Sequence, residues 1–339
     1  MLLPSLFTSA ILLLTGAAVP RSAPPAVQCQ RQVVPVRLSP LDPTGHDLVG
    51  WACARGGTAG KPVELLVPGF TYDHTYWDFP FEPERYSYAR AAAAAGYVTF
   101  AIDRLGTGES FFPPAVTLTA AVHVLAVHQV VGWLRTRYPG SPVVAVGHSA
   151  GSGTVLQEAA DYADVDALIL TGLLHTPDAA DAMFFGSFHP APLDAKFAGT
   201  VLDPGYLTTL PGTRGPDFYD LAVADPLVVA ADELGKSTGS GAELGSADTA
   251  LLPTTSRRIH VPVLLAVGQY DASFCNPLLG LSCADPTAVL AREAADFVPA
   301  ARLSGYVLAN AGHDINLHPN APDWFAAANA WVGQISEMY

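Results

Sequence analysis

The chain has no surplus of positive charge. Of its 339 residues, 17 are Lys or Arg and 31 are Asp or Glu, a formal net charge of −14. Nucleic acids and anionic membranes are held by basic patches, so this balance excludes both as partners and leaves a soluble, self-repelling surface. No acidic run is dense enough to form a tail. Neither G-x-G-x-x-G nor a Walker lysine occurs, and nothing else implies a cofactor. Cysteine is scarce, with four residues, and no C-x-x-C or clustered Cys/His spacing suggests a metal. Although Ala, Gly and Pro are abundant, no fixed-period repeat is visible.

What the chain does have is apolar bulk. Half of its residues are hydrophobic, enough for one α/β domain with an insertion or for two modest domains. An apolar stretch lies at the N-terminus, Ser9–Ala18 (SAILLLTGAA), followed by Val19–Pro25 (VPRSAPP). It resembles a secretory core segment with a cleavage point near Ala18 and a flexible spacer, although no Lys or Arg precedes Arg21. As a membrane anchor it is too short and is interrupted by Pro4, Ser5, Thr8 and Ser9. Residues 1–26 are therefore read as signal and spacer, and the protein as exported, without stable membrane insertion after cleavage. All four cysteines lie beyond this segment, and an even count in an exported chain suggests two disulfides. Three pairings are open; Cys29–Cys53, joining neighbouring strands, and Cys275–Cys283, closing a small loop, are favoured.

Strand and helix patterns then alternate. Val33–Leu38 and His46–Cys53 read as an antiparallel pair. Strands follow at Pro62–Val67, Tyr97–Ile102, Val143–Val146, Ala167–Leu170, Val261–Val267 and Leu303–Leu308. Helical spacing covers Glu84–Ala95 with Gly96 as its cap, Leu118–Tyr138, Pro286–Phe297 and Pro322–Val332. Such alternation implies a mostly parallel sheet with helices on both faces, whose ligands meet the carboxyl ends of the strands. Residues 174–259 break the pattern and are expected to form a helical cap between core segments 27–173 and 260–339. The cap is rich in Phe184, Phe185, Phe188, Tyr206, Phe218 and Tyr219, which either line an acyl pocket or, residue by residue the preferred reading, form the cap's own core. Gly235–Gly241 (GKSTGSG) looks weakly ordered.

The most telling segment is Pro142–Gly153, PVVAVGHSAGSG, with Gly147-His148-Ser149-Ala150-Gly151 where a buried strand would turn into a helix. A serine at the tip of such a turn projects its hydroxyl outward, and flanking glycines let the backbone pack closely. The Ala150 N–H, opening the helix, would face an oxyanion above Ser149. The element order and this elbow resemble the α/β-hydrolase superfamily over residues 32–336. The resemblance implies an α/β-hydrolase fold and a triad in the order serine, acid, histidine.

On that pattern the base is His313, in the loop Ala309–Asp314 after the last strand. His148 belongs to the elbow; His123 and His128 share no helix face; His318 lies further from the strand. The acid is Asp271, just past Val261–Val267, with Asp178 as the fallback. Asp314 is too close in sequence to orient His313. The second oxyanion donor is the Phe70 N–H, helped by Thr71, in a segment where Pro68 replaces the His of many family members. Asp103–Ser110 resembles the superfamily's D-x-x-G-x-G-x-S turn and is expected to shape a loop near the site.

The resulting expectation is an exported serine hydrolase that cleaves a small-molecule ester with an apolar group, using Ser149, Asp271 and His313, with Phe70 and Ala150 as the oxyanion hole. The superfamily also contains thioesterases, amidases, lyases, C–C hydrolases and cofactor-free peroxidases, and fold alone does not separate them. Epoxide and haloalkane hydrolysis are disfavoured, because those relatives place an aspartate at the position of Ser149. A non-catalytic binding protein on this scaffold is the remaining alternative.

Overall fold

The computed structural model describes residues 25–178 and 186–337. The signal-like segment up to residue 24, Phe184 and Phe185 lie outside the described residues. Eight strands form the central sheet: β1 (Gln28–Val36), β2 (His46–Ala54), β3 (Val63–Val67), β4 (Val98–Ile102), β5 (Val143–His148), β6 (Ala167–Thr171), β10 (Val263–Gly268) and β11 (Ser304–Leu308). Their order is β1-β2-β4-β3-β5-β6-β10-β11. β1 and β2 run antiparallel, as do β2 and β4; every other pair is parallel.

Every residue of β3, β4, β5, β6 and β10 is buried. Parallel strands covered on both faces read as continuous apolar runs, which is why these segments were visible in the sequence. Alternate residues serve opposite faces. Leu65, Phe100, Ala145 and Leu168 pack with α2 (Ala120–Arg137) and α3 (Ala150–Tyr162). Leu66, Ala101, Val146 and Ile169 pack with α1 (Tyr88–Ala95) and α8 (Ala321–Ser336), where Tyr88, Trp324 and Phe325 supply aromatic bulk.

Both favoured disulfides are present. Cys29 and Cys53 are direct register partners of β1 and β2, so the bond ties the sheet's outermost strand to its neighbour. β1 starts five residues earlier than the sequence pattern suggests, because Gln28–Gln32 extend the ladder opposite Gly50–Ala54. The expected helix Glu84–Ala95 is broken at Ser87, whose backbone is extended. Its hydroxyl accepts the Arg90 N–H and bonds the Asp78 carboxylate, making Ser87 the N-cap of a new helix.

Between β6 and β10 the chain forms a mixed insertion rather than a purely helical one. A small antiparallel sheet, β7 (Phe188–Pro190), β8 (Tyr206–Thr209) and β9 (Gly239–Ser240), accompanies α4 (Arg214–Phe218), α5 (Pro226–Gly235) and α6 (Gly241–Leu244). Within the Gly235–Gly241 run, which looked weakly ordered, residues 236–240 form a buried seam between insertion and core. Ser237 N–H donates to the Thr71 carbonyl at 2.7 Å, Thr238 Oγ1 to Gly106 O at 2.5 Å, and Ser240 Oγ to Leu118 O. Lys236 is 3 % exposed and reaches Asp194, Glu233 and the Thr209 carbonyl. The Thr238 and Ser240 hydroxyls can be buried here because each finds its own partner. After the insertion, α7 (Pro286–Glu293) links β10 to β11. Among the described residues, no helix is long and apolar enough to cross a membrane.

Candidate active site

β5 ends at His148, α3 begins at Ala150, and Ser149 between them has φ 52° and ψ −121°. For a residue with a side chain this is a strained conformation, which persists only when its surroundings enforce it. They do so by close approach. A Cβ on Gly147 would sit 2.4 Å from Ser152 Cα, and one on Gly151 would sit 2.3 Å from the Val67 carbonyl oxygen. Both motif glycines are therefore demanded by backbone contact. The Ser149 N–H donates to Thr171 O at 2.8 Å, which fastens the turn to the end of β6.

The predicted acid and base meet. His313 Nδ1 lies 3.0 Å from each carboxylate oxygen of Asp271. With Nδ1 donating to Asp271, Nε2 is left as the proton-accepting nitrogen. Asp271 is fully buried, and its Oδ1 also accepts the Ser273 N–H. The Cys275–Cys283 disulfide closes the loop that follows. Asp178, the fallback acid, instead takes the Asn276 amide at 2.9 Å and bonds through its backbone to Ser273, bracing the same loop. The His313 ring is 4.8 Å from the His148 ring, next to Ser149, and packs beside Phe218 and Phe274.

Two further histidines beside the site serve its structure. His318 Nδ1–H donates to Asp314 O, and its Nε2 accepts the N–H groups of Gly312 and Asp220, which fastens the loop carrying His313. His148 stacks on Tyr76 and lies between Thr171 Oγ1 and Asp314 Oδ1. Burial pushes the His148 imidazole well below its usual range and the Asp314 carboxyl above its own, so both favour their neutral forms. The Asp314 carboxyl bonds His148 and the Tyr72 hydroxyl, which donates to it, while His313 Nδ1 is held by Asp271.

The Phe70 and Ala150 N–H groups have no protein acceptor among the described residues. Their loop packs against the serine: a Cβ on Gly69 would be 3.2 Å from Ser149 Cβ. Where Pro68 replaces histidine, two buried arginines brace this loop. Arg104 donates to the Gly69 carbonyl at 2.9 Å and pairs with Glu243 of α6. Arg214 donates to Thr71 Oγ1 at 3.1 Å and makes two 2.9 Å bonds to Asp232. Burial alone would raise the Glu243 carboxyl, but Arg104 and His123 hold it down at about 2. Sequence reasoning missed these residues; the only local signal was Arg104 inside the D-x-x-G-x-G-x-S turn. In that turn Asp103 accepts N–H bonds from His74 and Glu109, the latter folding the turn back on itself, and also bonds the His74 imidazole.

A cavity of about 420 Å³ opens beside Ala150 and runs along α3 between α2 and the insertion. Gly153, Thr154, Gln157 and Asp161 face it from α3, Val124 from α2, and Leu244, Ala247 and Leu251 from the insertion. Small and aliphatic side chains predominate. Among the described residues, none of the insertion's aromatics lines it: Tyr206, Phe218 and Tyr219 are buried against the central sheet's own packing clusters rather than in a separate core of the cap.

No curated protein matches the chain. Among solved structures, the fold is similar to a monoacylglycerol lipase of Paleococcus ferrophilus, with 18% identity, TM-score 0.59, and 85% of this chain and 99% of that one covered. It is also similar to a carboxylesterase of Bacillus subtilis, with 15% identity, TM-score 0.59 and 91% of both chains covered. A bromoperoxidase of Bacillus anthracis matches at 15% identity and TM-score 0.57, covering 90% of this chain and 100% of that one. These likenesses concern the fold. A family model matches residues 65–328, a span running from β3 into α8 and including the serine, acid and histidine positions, and the chain belongs to the alpha/beta hydrolase family.

Proposed function

We propose that the protein is a serine hydrolase that cleaves carboxylic esters bearing an unbranched apolar chain. The observation that carries this reading is the buried His313–Asp271 pair beside an elbow serine held at φ 52°. In the proposed mechanism His313 Nε2 takes the Ser149 proton as the hydroxyl attacks the ester carbonyl. Asp271 fixes the imidazole tautomer and stabilises its cation. The Phe70 and Ala150 N–H groups bind the oxyanion, and donors of this kind are worth roughly 3 kcal/mol each in the transition state. His313 returns the proton to the departing alcohol, then activates water to release the acyl group.

The apolar cavity supports an acyl site. It follows α3 from Ala150 to Tyr162, about 18 Å at 1.5 Å per residue. An extended chain advances about 1.2 Å per bond, so this length takes an acyl group of up to roughly fifteen carbons. Export is proposed on the two disulfides together with the signal-like N-terminus.

The test is intact-mass analysis after fluorophosphonate treatment, beside Ser149→Ala. One adduct per chain, absent from the mutant, together with Ser149-dependent hydrolysis of p-nitrophenyl decanoate, is the expected result. Hydrolysis that persists unchanged in Ser149→Ala would overturn the mechanism.

A further inference from the structure

Glu158, on the last turns of α3, has no exposed surface, and neither of its oxygens accepts a hydrogen bond from any N–H or O–H donor among the described residues. Its polar neighbours are His128, from α2, and Asp164, from the turn before β6. His128 Nδ1 lies 3.5 Å from Glu158 Oε1 and 2.8 Å from Asp164 Oδ2. One ligand-type atom from each of the three residues falls within a 4.8 Å cluster. We propose that His128, Glu158 and Asp164 form a structural site for a divalent transition-metal ion of the zinc class, about 13 Å along α3 from Ser149.

The donor chemistry selects the class of ion. One imidazole nitrogen and two carboxylates suit zinc and its first-row neighbours, whereas magnesium and calcium prefer all-oxygen shells. At zinc–ligand distances of about 2.0–2.1 Å, tetrahedral ligand atoms stand roughly 3.3 Å apart. The observed 3.5 Å already fits, and the 2.8 Å separation needs to open by about half an ångström. Three protein ligands leave a fourth position for water.

The setting also favours an ion. His128 is 34% and Asp164 27% exposed, which gives an entry path from solvent to the buried Glu158. The His128 ring is fixed by stacking on Tyr162 at 3.7 Å. Arg135 offsets the cluster only in part, because its guanidinium is engaged by the Asp164 carbonyl and the Asp166 carboxylate. Two carboxyls so placed are compatible only by sharing a proton or by sharing a cation. A bound ion would join α2, α3 and the turn into β6.

The test is calorimetric titration of the chelator-treated, full-length protein with zinc chloride, beside Glu158→Gln, Asp164→Asn and His128→Ala. Circular dichroism checks that each variant is folded; Asp164 and His128 are partly exposed, so those two variants keep the test open should Glu158→Gln fail to fold. The expected result is one zinc per chain at micromolar Kd or tighter, at least tenfold weaker in every folded variant and at least a hundredfold weaker for calcium and magnesium. Cobalt should show visible absorption bands in the wild type that vanish in Asp164→Asn. Equal zinc binding in wild type and variants would assign the ion to surface sites. No zinc binding by the folded wild type would mean that Glu158 and Asp164 share a proton. Either result overturns the proposal.

Discussion

The guanidinium of Arg214 lies 4.1 Å from the centre of the Tyr72 ring, so a cation on the insertion rests on the loop that carries Phe70. The Tyr72 hydroxyl donates in turn to Asp314, the residue after His313. The insertion, the loop carrying Phe70 and the loop carrying His313 are thereby joined through one buried polar chain.

Removing Arg214 should therefore act at a distance. Arg214→Met leaves Asp232 as an unpaired buried charge, a loss of roughly 3–5 kcal/mol. We expect Arg214→Met/Asp232→Leu to recover most of that stability in urea titrations. Its kcat on p-nitrophenyl esters should stay about tenfold or more below wild type, with KM little changed, because the oxyanion donors remain misplaced. Full recovery of kcat in the double variant would show that the arginine serves folding alone.

The two acid candidates separate cleanly by substitution. Asp271→Asn should lower kcat about 10,000-fold, the effect of presenting His313 in the wrong tautomer. Asp178→Asn keeps an oxygen that can accept the Asn276 amide and should cost less than about tenfold. Steady-state kinetics of the two variants, compared at equal folded fraction, decide the assignment.

Acid should loosen the insertion before it unfolds the sheet. Glu243 is held at about 2 against an ordinary value of 4.5. A depressed carboxyl contributes stability that is complete above 4.5 and disappears as pH falls toward 2, roughly 3 kcal/mol in all. Wild type and Glu243→Gln should thus differ most at neutral pH and converge in that acid window. Melting temperatures across pH 2–7 provide the check.

The cavity walls should set substrate length. Ala247→Phe and Val124→Phe intrude from opposite sides. Each is expected to reduce kcat/KM for a decanoate ester about tenfold or more, while leaving an acetate ester within about threefold. Parallel losses on both esters would place the acyl chain elsewhere.

The elbow, Asp271 and His313 were legible because each follows a short apolar strand, and chain order alone ranks the candidates. The bracing residues were not. Arg104 and Glu243 are 139 positions apart, and Arg214 and Thr71 are 143 apart. Pairings at such separations leave no local periodicity. Gly235–Gly241 misled for a related reason: Ser237, Thr238 and Ser240 are small polar residues with no apolar pattern, yet they are buried by bonds to carbonyls on distant loops. The split at Ser87 was hidden by the helix-forming alanines that follow it. Composition cannot report partners that only the tertiary fold supplies.

Ala150, Gly153, Thr154, Gln157 and Asp161 lie on one stripe of α3 and face the cavity in succession. On the proposed mechanism, the helix that begins after Ser149 would run beside the acyl chain as a ruler graduated in turns. Each turn advances about 5.4 Å, or roughly four carbons of an extended chain. Bulky residues placed at 154, 157 or 161 would then truncate the accepted acyl group at progressively greater lengths, in steps fixed by helical pitch rather than by side-chain size.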